Sequence, residues 1–193
     1  MTTNKNASSS AVASLRLFGN IRVLVISALF IAMSIALGKL LAFNVTPYIR
    51  ISFENLTILM AGIFFGPFVG AAVGAGADII GCILVGYSIN PIITLGAASI
   101  GLVAGIVSSS VFKGNVKLNT AFSVGLAHLI GSVIIKSIGL RVYYNYPIGW
   151  LAWRLPTYIG IGILEFYIIW LLLNNKAFSD QLDKVRKNGR NSA

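Results

Sequence analysis

Long apolar runs, broken by short polar segments rich in glycine and proline, set the pattern of this chain and predict about six membrane-crossing helices. The first covers about residues 22–42, with Lys39 near its far end. A polar, turn-prone stretch follows, Phe43-Asn44-Val45-Thr46-Pro47-Tyr48-Ile49-Arg50, and leads to a second run of about 56–65 that Gly66-Pro67 closes as a tight turn. The third run, about 67–85, is rich in Gly and Ala, carries Asp78 and ends at Gly86-Tyr87-Ser88-Ile89-Asn90-Pro91. The second and third helices therefore form a hairpin. A fourth run covers about 92–112, a fifth about 121–139 after the loop Lys113-Gly114-Asn115-Val116-Lys117, and a sixth about 150–173. The expected organisation is a polar N-terminal tail (1–20), a six-helix membrane domain (21–175) and a basic C-terminal tail (176–193).

Composition agrees: 56% hydrophobic residues, 10% charged residues and a mean hydropathy of +0.85 belong to a membrane protein. Six spans of about 20 residues use up most of the 193 and leave no room for a soluble catalytic domain. The polar, Ser-rich start lacks the short charged region and apolar core of a signal peptide, so no cleavage is expected. Cys82 is the only cysteine and falls inside a span, where it reads as a packing residue. Neither a phosphate-binding Gly-x-x-x-x-Gly-Lys-Ser/Thr loop, nor His-Glu-x-x-His, nor Gly-x-Ser-x-Gly occurs. Uphill transport would need a partner or an ion gradient, and no inverted repeat of discontinuous helices suggests the latter.

The charge of +10 is unevenly distributed. With the N-terminus cytoplasmic, ten of the 15 basic residues fall on inner segments, as the positive-inside rule requires. The inner cations read as topology signal and attraction to anionic membrane lipid. Without interleaved aromatic residues they do not suggest nucleic acid. The other five, Lys39, Arg50, Lys136, Arg141 and Arg154, lie outside, where cations should be scarce. They point to an outward-facing anion site.

Within the spans, Gly62, Gly66, Gly70 and Gly74, then Gly101 and Gly105, repeat at four-residue spacing that lets helix backbones approach closely in lipid. Ala28, Ala32 and Ala36 form a small-residue stripe that packs either inside the protein or against a second membrane protein. Asp78 either pairs with a neighbouring cation or offers its carboxylate to two parallel N–H donors of a ligand. Lys136, about one turn from the end of its span, either snorkels to the interface or binds an anion. The aromatic segment around Tyr143, Tyr144, Tyr146, Trp150 and Trp153 fits an interfacial belt. Arg154 does not, because it lies a turn inside the sixth helix, where a guanidinium needs water or a carboxylate partner. His128 stands without a second ligand at helical spacing and reads as a hydrogen-bonded core histidine; Glu165 could balance a basic residue.

Three segments together resemble the substrate-binding (S) component of energy-coupling factor (ECF) vitamin transporters. They are the alanine stripe of the first helix; Pro47-Tyr48-Ile49-Arg50-Ile51-Ser52-Phe53-Glu54-Asn55-Leu56 with Ala61-Gly62-Ile63-Phe64-Phe65-Gly66-Pro67 and Ala77-Asp78-Ile79-Ile80-Gly81; and His128-Leu129-Ile130-Gly131-Ser132 through Lys136-Ser137-Ile138-Gly139-Leu140, Tyr143-Tyr144, Pro147 and Trp153-Arg154-Leu155-Pro156. The third is similar to the folate branch. The resemblance implies an all-α bundle of six transmembrane helices in a bacterial plasma membrane, both termini cytoplasmic. It implies an outward vitamin pocket, no catalysis and no cofactor or metal in this subunit, and ATP hydrolysis by two partner ATPase subunits. Ala28, Ala32 and Ala36 would then dock on the ECF transmembrane coupling subunit. For folate or a reduced folate, Arg50, Lys136 and Arg154 are candidate anion ligands, Phe53, Tyr87, Tyr143 and Trp150 candidate stacking groups, and Asp78 or Asn55 candidate readers of the pterin. Another vitamin such as riboflavin or thiamine, or a small carrier acting alone, are the competing readings.

Overall fold

In the computed structural model, described for residues 20–39, 41–44, 50–111 and 114–191, helices carry nearly all of the described residues. They are α1 (Ile21–Lys39), α2 (Glu54–Phe65), α3 (Pro67–Val85), α4 (Pro91–Ser110), α5 (Val116–Tyr144), α6 (Ile148–Asn174) and α7 (Lys176–Asn191). Five of these, α1, α3, α4, α5 and α6, are long and apolar enough to cross a membrane. At 12 residues α2 reaches about 18 Å, short of a bilayer core of about 30 Å. Between α1 and α2 the antiparallel pair β1 (Phe43–Asn44) and β2 (Arg50–Ile51) sets Phe43 opposite Ile51.

Local sequence explains the breaks. Gly66 adopts φ 94°, which a side chain would resist, and Pro67 opens α3 where its missing N–H costs nothing. Asn90 caps α4 by accepting from the Ile92 and Ile93 amides at 3.0 and 3.3 Å, and Asn115 does the same for α5 through Leu118 at 3.2 Å. Within α5, residues His128–Ile135 take π-helical turns between two α-helical parts.

The centre of the bundle is held by backbone contact. A Cβ added to Gly101 of α4 would lie 2.1 Å from the Gly70 carbonyl of α3, and one on Gly62 of α2 would lie 2.3 Å from the Gly101 carbonyl. In lipid no hydrophobic force drives helices together, so such close approach supplies the dispersion and dipolar contact that does. Around it pack Ile58, Leu59, Phe64, Val69, Val73 and Ile100, all nearly inaccessible, while Ile83, Leu84, Leu95 and Ile163 face outward. Apolar residues on both the inner and outer faces suit hydrocarbon solvent.

The basic segment after residue 175 forms α7. Phe178, Leu182 and Val185 recur on one face of α7 and pack onto the core, with the Phe178 ring centroid 5.3 Å from that of Phe64. Arg186 on the same helix donates to the Ile63 carbonyl at 2.9 Å and to the Phe64 carbonyl, satisfying acceptors that the C-terminus of α2 leaves open.

Candidate functional site: a charged cavity at one end of the bundle

A cavity of about 640 Å³ opens where α1, α3 and α5 end or near their ends and where α2, α4 and α6 begin. Lys39, Arg50, Lys136 and Arg154 line it, together with Glu54 and Asp78, so basic side chains outnumber acidic ones by two. Tyr87, Tyr144, Tyr146 and Tyr158 supply ring surface, and Ser52, Ser88 and Asn90 supply neutral polar groups. The volume lies inside the range of about 300–1,000 Å³ usual for small-molecule sites.

Each charged group has a defined seat. Arg50 donates to the Gly38 carbonyl, pinning the loop to the end of α1. Glu54, first residue of α2, packs against Gly38, where an added Cβ would meet its Oε2 at 2.8 Å, and accepts from Lys136 Nζ at 3.0 Å. Lys136 also reaches Asn55 Oδ1 at 3.4 Å and is 5% exposed. It does not snorkel. A carboxylate 82 positions earlier in the chain neutralises it, which removes the need for an interfacial exit. Gly96 of α4 makes room for this arrangement, since a Cβ there would come within 2.6 Å of Lys136 Cγ.

Asp78 accepts from the Thr94 hydroxyl at 2.6 Å, a hydrogen bond in place of the ion pair weighed from the sequence. Lys39 Nζ stands 5.3 Å from the Tyr87 ring centroid, and the Arg154 guanidinium 5.1 Å from that of Tyr158. Arg154 also donates to the Ser132 carbonyl at 2.7 Å, while its Nε is buried with no hydrogen-bond partner among the described residues.

Of the nine residues singled out from sequence, Arg50, Asp78, Tyr87, Lys136 and Arg154 share the cavity wall. The other four stand off it. Asn55 is fully buried behind the wall, bonded to Lys136 and to Ser132 Oγ at 3.4 Å. Phe53 caps α2 outside the lining, Tyr143 is 55% exposed on the outer face of α5, and Trp150 sits half-open on the first turn of α6. Helical geometry accounts for the tyrosine: neighbours on a helix point about 100° apart, and Tyr144, not Tyr143, takes the inward direction. Arg141 is exposed and braces the loop by donating to the Tyr146 carbonyl at 3.0 Å.

Sequence reasoning passed over Glu54, Asn90, Tyr146 and Tyr158 as lining residues, and treated Lys39 as misplaced charge without giving it a role. An acidic residue directly before an apolar run, and the Asn-Pro pair before the fourth, were the available signals. Cys82, expected as packing, lies on the cavity wall at intermediate exposure. Ala28 and Ala32 face outward from α1, and Ala36 is half-buried.

Comparison with known proteins agrees with this architecture. No curated protein matches the chain. Among solved structures, FolT bound with folic acid shares the fold, with a TM-score of 0.65 and 21% identity over 79% of this chain and 93% of that one. The family described as "ECF transporter, substrate-specific component" matches residues 22–174, from the start of α1 to the end of α6, and the chain belongs to that family.

Proposed function

We propose that this chain is the folate-binding S component of an ECF importer in a bacterial plasma membrane. It lies across the bilayer with six helices, of which α2 passes only part of the way, and with both termini inside; it captures folate or a reduced folate outside and hands it to an ATP-driven coupling module. The observation that carries this reading is the excess of two basic over acidic side chains around a tyrosine-rich cavity. Folate brings two carboxylates, a flat pterin and an aminobenzoyl ring, which such a wall complements in charge and shape. The likeness to a fold solved with folic acid supports it further.

Because Glu54 already neutralises Lys136, Arg50, Arg154 and Lys39 are the cations proposed to meet the glutamate carboxylates. Asp78, held through one oxygen by Thr94, keeps a second oxygen for the pterin's N–H donors. Tyr87, Tyr144, Tyr146 and Tyr158 are proposed as stacking surfaces. Ala28 and Ala32 form the proposed docking face for the transmembrane coupling subunit, which two ATPase subunits drive.

Calorimetry of the purified protein with folate, riboflavin and thiamine tests the reading. Folate should bind without ATP at nanomolar to sub-micromolar Kd, about −8 to −12 kcal/mol. Silence with folate and saturation by either other vitamin would end the folate assignment.

A further inference from the structure

A continuous line of hydrogen bonds leaves the cavity wall and runs into the bundle to His128, which lines a second, apolar pocket of about 390 Å³ between α5 and α6. Lys136 Nζ, paired with Glu54, donates to Asn55 Oδ1 at 3.4 Å; Asn55 Nδ2 donates to Ser132 Oγ at 3.4 Å. Ser132 Oγ lies 3.2 Å from His128 Nδ1, and His128 Nε2 lies 2.5 Å from Glu165 Oε2. Asn55, Ser132 and Glu165 are fully buried and His128 is 3% exposed, and none of the four borders the cavity. A histidine and a glutamate this deep in a membrane bundle cost several kcal/mol unless paired, and packing alone would be served by apolar residues.

Ser132 is the branch point. Its hydroxyl faces Asn55 and His128, and its carbonyl accepts from Arg154 at 2.7 Å. It belongs to the π-helical turns His128–Ile135, a geometry frequent where a helix serves a site. A second route reinforces the first: the Tyr158 ring lies 5.2 Å from the His128 ring and beneath the Arg154 guanidinium. Two cavity cations are thus tied to one buried pair.

Donor and acceptor counts allow two arrangements at the His128 end of the line. Where the His128–Glu165 proton sits on Nε2 and Nδ1 is bare, the Ser132 hydroxyl donates to Nδ1 and accepts from Asn55. With the proton on Glu165, Nδ1–H donates to Ser132, whose own proton must turn elsewhere. Asn55 donates to Ser132 through Nδ2 and accepts from Lys136 through Oδ1, so its amide joins the two side chains. Glu165 Oε1 has no partner among the described residues, leaving His128 as the group that orients this carboxyl.

We propose that His128 and Glu165 are positioning residues for the ligand cavity, fixing through Ser132 and Asn55 where the Lys136 ammonium and Arg154 guanidinium stand. The proposal rests on the reading of that cavity as the vitamin site. His128 is the sole histidine, so one isotope-labelled side-chain resonance reports on it in full-length protein in lipid nanodiscs. Without ligand, Asn55→Leu and Lys136→Met should each shift that resonance. Glu165→Leu should weaken folate binding about two- to thirtyfold, and Glu165→Gln, which keeps an acceptor for His128, should restore it to within about twofold. A resonance unmoved by both substitutions, or wild-type affinity in Glu165→Leu, would overturn the proposal. Absence of folate binding by the wild-type protein would instead remove the vitamin reading, and the ligand-free resonance would then decide the relay by itself.

Discussion

Lys136 of α5 and Glu54 of α2 meet at 3.0 Å beside the cavity, the lysine 7% and the glutamate 29% exposed at their side chains. Removing one partner of such a pair leaves a charge that the surroundings were not built to solvate. Glu54→Gln should therefore cost about 3 kcal/mol of stability, whereas Glu54→Gln with Lys136→Met should recover most of it. Thermal unfolding in detergent measures both, and equal losses in the single and double variants would refute the pairing.

Gly96 gives a milder way to disturb the same group. A Cβ there falls 2.6 Å from Lys136 Cγ and 3.1 and 3.2 Å from the Gly131 carbonyl oxygen and the Lys136 amide nitrogen, so Gly96→Ala should lower the Tm as well as displace the ammonium. Folate affinity is expected to drop by about tenfold, equal to about 1.4 kcal/mol. Unchanged affinity would show that the ammonium's position is immaterial to binding.

Arg154→Ala separates a ligand contact from an interfacial anchor. If its guanidinium meets a desolvated carboxylate, binding falls by about 2–5 kcal/mol in calorimetry. A change under about 0.5 kcal/mol would assign the residue to bracing Ser132 instead.

Glycine substitutions should split by location. Gly101→Ala drives a methyl into the Gly70 backbone and should cost about 3 kcal/mol or more, seen as lost expression or a lower Tm. Gly125→Ala and Gly160→Ala meet nothing within 4 Å and should be neutral or stabilising by up to about 1 kcal/mol from helix propensity.

Ala32 is exposed on α1 and apart from the cavity. Ala32→Phe should leave folate affinity within about twofold and abolish uptake by cells carrying the complete transporter. Loss of binding would make the stripe an internal packing surface.

Much of this was legible in the chain. Pro67 to Val85 could be bounded from sequence because Gly66-Pro67 and Gly86 carry their conformational demands in their covalent structure. Convergence of Arg50, Lys136 and Arg154 followed from charge on the wrong side of a topology rule. The partner of Lys136 did not follow, because a contact across 82 positions leaves no local trace. Nor did the π-helical turns of α5, which depend on hydrogen-bond register and not on composition. The apolar face of α7 was present at Phe178, Leu182 and Val185, yet the surrounding lysines and arginines drew the reading toward a basic cytoplasmic tail.

Because Arg186 grips the terminal carbonyls of α2 while Glu54 anchors its opposite tip, the short helix is clamped lengthwise between two tethers. A segment fastened at both ends cannot slide independently of its neighbours. Any displacement of α2 must then carry the adjoining cavity wall with it, with the C-terminal helix travelling along as its base plate.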